Sequence, residues 1–130
     1  MKNEKLIELS NRLLELPKEI SKLSLDLLDK TEYSNEISNE ISKLEMAIKL
    51  SISNKTDDAG KKVYTNAESR EAAFVELKEN DTELQLLHDK HNFAQGDIQK
   101  LKIEIEKCSN EQRNIRSLLQ FFATATELEN

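Results

Sequence analysis

The chain has 130 residues, of which 34% are charged and 37% hydrophobic, with two glycines, one proline and a formal net charge of -6. This balance excludes the usual mixture of a layered globular domain and favours long helices. Its acidity removes bulk attraction to nucleic acid or an anionic membrane and leaves only local basic patches for either.

In chain order, the first pattern starts at Leu6. Steps of three and four residues give Leu6, Leu9, Leu13, Leu16, Ile20, Leu23, Leu27, Lys30, Ser34, Ile37, Ile41, Leu44, Ile48 and Ser51. Only Lys30, Ser34 and Ser51 break the apolar run, and a 3.5-residue period of this length keeps one seam of a helix facing a partner. The spacing predicts helix one over about 3–53. Pro17 removes one backbone donor inside it, and because the phase carries across unchanged, a kink is expected there rather than two helices.

The periodicity stops at Ser53, and Asn, Asp, Gly and Lys mark a loop over about 54–64. Thr65 followed by Glu68 has the form of a capping box, so helix two is expected over about 66–123. Its seam reads Leu84, Leu87, His91, Ala94, Ile98, Leu101, Ile105, Cys108, Gln112, Ile115, Leu119 and Phe122, while "ENDTE" before it suggests a local break near 80. The expected fold is all-α, a single domain made of a long antiparallel two-helix coiled-coil hairpin. Apolar residues beside the seams near the two ends, among them Ile7, Leu14, Leu25, Leu28, Leu118 and Phe121, exceed what one partner helix covers. Self-association into a helical bundle is therefore expected, with Leu14, Leu28, Leu118, Phe121 and Phe122 at the interface.

Catalytic chemistry finds little support. His88 and His91 share a helix face but lack the further ligands that a metal needs, so no metal and no cofactor are expected. Cys108 sits on a seam position, where a small thiol packs as core, and its being the lone cysteine fits a reducing compartment. The first residues alternate charge with leucine, unlike a signal peptide, and no run is long enough to span a membrane; a cytoplasmic location without membrane contact is expected. With no phosphate-binding glycine loop and no nucleophile beside a base, the chain does not read as an enzyme.

Lys61, Lys62, Tyr64, Asn66 and Arg70 crowd around the start of helix two. A helix N-terminus offers unpaired N–H groups and partial positive charge, so two lysines before it and an arginine one turn in compose a small anion site. Tyr64 would stack on a base and Asn66 would hydrogen-bond it. The competing reading is a turn that needs only polar residues, with Arg70 paired to Asp57, Asp58 or Glu71.

Three segments, "LLELPKEI" (Leu13 to Ile20), "GKKVYTNAESREAA" (Gly60 to Ala73) and "RSLLQFFA" (Arg116 to Ala123), give the chain a resemblance to small coiled-coil proteins of tailed bacteriophages and prophages. The resemblance implies a helical hairpin encoded near recombination and single-strand-binding functions, and so a host-cytoplasmic location. It implies a non-enzymatic binding or assembly protein, with single-stranded nucleic acid or a nucleotide at the tip, or a host or phage protein as partner. An alternative from the same resemblance is a counter-defence protein that sequesters a nucleotide signal or blocks a host immune protein.

Overall fold

The computed structural model describes the backbone of residues 2–129 and the side chains of residues 3–126. It is all-α among these residues, with helices α1 (Lys2–Asn54), α2 (Ala67–Asn80) and α3 (Thr82–Glu129). No helix among the described residues is long and apolar enough to cross a membrane. α1 continues through Pro17, so the missing N–H costs one hydrogen bond without ending the helix. The chain forms two compact units, Met1–Thr31 with Gly96–Asn130, and Glu32–Gln95.

In the first unit α1 packs on α3 through Leu16, Cys108 and Ile115, flanked by Leu9, Leu13, Ile20, Leu23 and Leu119. Leu16 is fully buried. Arg12 meets Glu111 while Lys30 meets Asp97 at 3.4 Å, so partner numbers on α3 fall as those on α1 rise and the two segments run antiparallel.

In the second unit Ile37 and Ile41 of α1 pack on Leu84 and Leu87 of α3, with Leu84 fully buried. A second cluster joins Ile52 to Ala73 and Phe74 of α2, and Ile48 touches both clusters. Buried Ser34 accepts a 2.7 Å hydrogen bond from Gln95 Nε2, which satisfies the polar seam position without a charge.

The seam of α1 departs from a strict heptad at two places. Lys30 is exposed and Thr31 takes the half-buried position, its Oγ1 donating to the Leu27 carbonyl; Ser51 is exposed and Ile52 is buried instead. A straight helix of 3.6 residues per turn drifts by about 20° per heptad relative to a 3.5 repeat, so the buried stripe moves on by one residue where the sequence allows it.

The second helical stretch is two helices. Asp81 adopts an extended conformation and its Oδ1 accepts from Leu84 N at 2.9 Å, which satisfies one of the free donors at the start of α3. Further along α3, Gly96 is exposed, and a Cβ placed there would meet no atom within 4 Å. Gly96→Ala should therefore raise stability by about 1 kcal/mol, the helix-interior cost of glycine, read as a higher midpoint of thermal unfolding.

Of the residues expected at an oligomer interface, Leu14, Leu28, Leu118 and Phe121 are exposed, whereas Phe122 is half-buried on the seam with its ring edge-on to Phe121 at 6.0 Å. They do not form one widened face. Ile7, Leu14 and Leu28 each follow a seam leucine by one residue, about 100° around the helix in one sense, and Arg12 precedes seam Leu13 by about 100° in the other. Leu118 precedes seam Leu119 as Glu111 precedes Gln112 on α3, so Leu118 lies on the flank of the Arg12 to Glu111 pair. The leucines of α1 lie on the opposite flank.

Candidate functional site at the interhelical loop

The loop between α1 and α2 is a miniature hairpin built by Asp57 and Gly60. Asp57 N donates to Lys61 O (2.8 Å), Gly60 N donates to Asp57 O (3.0 Å), and Thr56 bridges Lys62 in antiparallel fashion. Asp57 Oδ1 accepts from both Ala59 N and Lys61 N at 2.9 Å. A three-residue connection of this kind needs its last residue in the left-handed region, and Gly60 supplies it with a φ of 77°.

The start of α2 differs from the expected Thr65 and Glu68 box. Asn66 is the N-cap: its Oδ1 accepts from Ser69 N at 2.7 Å, and the Ser69 hydroxyl stands in the reciprocal position toward Asn66 N at 3.4 Å. The shift by one residue follows from chemistry, because the Asn side chain reaches the N3 donor from an extended backbone and Ser69 returns the contact that Glu68 was expected to make. Arg70 N then donates to Asn66 O, the first helical bond.

Each predicted site residue has a definite place. Lys62 Nζ donates to Ser53 O at 2.7 Å, in the last turn of α1, where carbonyls lack helical partners and the helix end is negative. Tyr64 is half-buried and packs against the cluster of Ile52, Ala73 and Phe74, with the Lys55 ammonium 6.0 Å over its ring. Its role is therefore partly structural, and the ring is not free to stack on both faces. The cap likewise engages the Asn66 oxygen with Ser69 N, which fixes the orientation of the side chain. Lys61 is exposed on the hairpin. Arg70 is exposed, and among the described residues its guanidinium has no hydrogen bond or ion pair; the pairing with Asp57, Asp58 or Glu71 does not form.

Lys62, Tyr64 and Arg70 line one shallow concavity of about 330 Å³ with Ser53 and Thr65. Asn66 and Lys61 are not part of its wall. Arg70 and Ser53 also border a second concavity of about 230 Å³, floored by Ile52, Ala67 and Phe74. Lys49 and Lys78 hold their ammonium groups 4.8 and 5.3 Å from the Phe74 ring centre, and Lys49 and Arg70 share the wall of this concavity with Glu71. Asp57 and Ser69 carry recognisable sequence signals: Asp57 is followed three residues later by Gly60, and Asn66 three later by Ser69.

Other titratable clusters are structural in character. In the first unit Arg12 grips two carboxylates at once, with Nε and Nη2 donating to Glu111 at 2.8 Å each and Nη1 and Nη2 donating to Glu19 at 2.6 and 3.1 Å. Hydrogen bonding to Glu111, then to Glu19, raises the Arg12 pKa, and the bond from Arg12 lowers that of Glu111. Burial pushes the Cys108 thiol up, which disfavours the reactive thiolate. In the second unit His88 Nε2 lies 3.8 Å from Glu45, while His91 is half-buried on the seam. Among the described residues no three metal-ligating side chains gather into one site.

Compared with protein-family models, curated proteins and solved structures, the chain matches none.

Proposed function

We propose that this chain is a non-enzymatic, self-associating coiled-coil protein of phage type whose interhelical loop binds the phosphates of single-stranded nucleic acid. The observation that carries the reading is Arg70: an exposed guanidinium without a partner among the described residues, one turn into α2, on a concavity that it shares with Lys62. Fork-shaped guanidinium donors suit phosphate oxygens, and the positive end of α2 adds to the field. Attraction between one exposed cation and one phosphate in water is only about 1 kcal/mol at 4 Å, so binding through three cations is weak and salt-sensitive. The resemblance to phage coiled-coil proteins supports the same reading.

The expected result is that Lys61→Ala, Lys62→Ala and Arg70→Ala combined abolish binding of a labelled single-stranded oligonucleotide at low ionic strength, with helicity by circular dichroism unchanged. Equal affinity of the triple variant and the natural sequence would sink the assignment. A second reading, capture of a free nucleotide signal in counter-defence, is favoured by the aromatic-floored concavity that Arg70 also borders. A mononucleotide that competes fully with the oligonucleotide supports that reading, and one that does not compete leaves the polymer as the ligand.

A further inference from the structure

We infer that a second copy of the chain packs along one lateral stripe of α1, centred on Leu14 and separate from both the seam and the loop. The inference deepens the self-association in the proposed function by naming its surface. The large members, Ile7, Leu14 and Leu28, are 60%, 72% and 53% exposed and recur at multiples of seven residues. Between them on the same stripe stand Ser10, Pro17, Ser21 and Ser24, all exposed. From Ile7 to Leu28 the stripe holds no charged residue, although a third of the chain is charged.

The opposite flank of α1 is the reverse, running from Glu8 and Arg12 through Glu19 to Asp26 and Asp29. Seven-residue spacing on that side supports ion pairs with α3, as Arg12 does with Glu111. On the uncharged side the same spacing sets three large exposed apolar residues among serines and Pro17.

Three features select a second copy as the occupant. Two chains of net charge -6 repel, and the stripe itself adds no charged residue to that repulsion. Large residues alternating with small ones make the stripe self-complementary, since the knobs of one copy fit the gaps beside the serines of the other, as an isologous contact requires. The stripe also gives a charged partner nothing to pair with. Its length is about 32 Å at 1.5 Å per residue and its width about one helix, about 10 Å, so the two copies together bury on the order of 600 Å². That lies below the range of permanent interfaces and predicts a reversible, concentration-dependent dimer.

Sedimentation equilibrium over a concentration series tests this with the full chain. The natural sequence should rise from the mass of one chain toward twice that mass. Leu14→Glu with Leu28→Glu should hold at the mass of one chain with unchanged helicity, because both side chains are exposed and the seam is untouched. Phe121→Glu, on the other flank, should associate as the natural sequence does. A natural chain that stays at single mass throughout, a double variant that associates normally, or loss of association in Phe121→Glu alone would each overturn the proposal. The triple loop variant should dimerise normally, so failure of nucleic-acid binding and failure of this surface are read separately.

Discussion

Replacing Leu16 by aspartate should remove the folded state of the first unit. Leu16 is fully buried between Cys108 and Ile115, no cation belongs to that cluster, and neighbouring Arg12 is already held by Glu19 and Glu111. An unpaired buried charge costs several kcal/mol, a large part of the roughly 5–15 kcal/mol that stabilises a whole domain. The milder Leu16→Ala leaves a cavity instead and should cost about 2–5 kcal/mol. Urea unfolding followed by circular dichroism measures both. Near-native stability of Leu16→Asp would mean that the seam is not what holds α1 to α3.

Phe74→Ala should cost about 3–5 kcal/mol and detach the loop region from the end of α1. Phe74 is 8% exposed and is the largest member of the cluster that joins Ile52 to α2, with Tyr64 packed beside it. Losing it removes the floor under Arg70 as well. The variant should therefore lose both stability and oligonucleotide binding, whereas Arg70→Ala should lose binding alone. Hydrogen exchange at the amides of α2 separates the two effects: faster exchange throughout α2 is expected for Phe74→Ala and not for Arg70→Ala. Unchanged protection in Phe74→Ala would contradict the packing described.

The seams were the most legible part of the fold, because leucine and isoleucine at 3.5-residue spacing report a helix face without reference to anything distant. All twelve predicted seam positions from Leu84 to Phe122 are buried or half-buried. The exchange of Ser51 for Ile52 was not legible in a heptad count, since it depends on helical drift and on α2 offering Ala73 and Phe74 to Ile52. The cap of α2 falls one residue beyond the expected Thr65 because Thr65 and Asn66 are both good caps, and only the backbone geometry chooses between them.

The loop candidates divide in the same way. Lys62 and Arg70 were visible as charges near a helix start, and they do share a concavity. That Tyr64 leans on the Ile52 cluster and that the Asn66 oxygen caps Ser69 N are tertiary and local bonding facts that residue types alone do not disclose. The same limit applied to the apolar residues beside the seams. Their excess was plain in the sequence, but their division between two flanks emerges only once the Arg12 to Glu111 pair fixes which side of α1 faces which side of α3.

The salt dependence of single-strand binding tests the functional assignment most directly. If Lys61, Lys62 and Arg70 each displace one counterion, log affinity against log salt should fall with a slope of about -2, at roughly -0.7 per phosphate contact. Arg70→Ala should make that slope shallower by about 0.7. Absence of binding at low ionic strength, or a slope that the loop variants leave unchanged, would contradict a phosphate site at this loop.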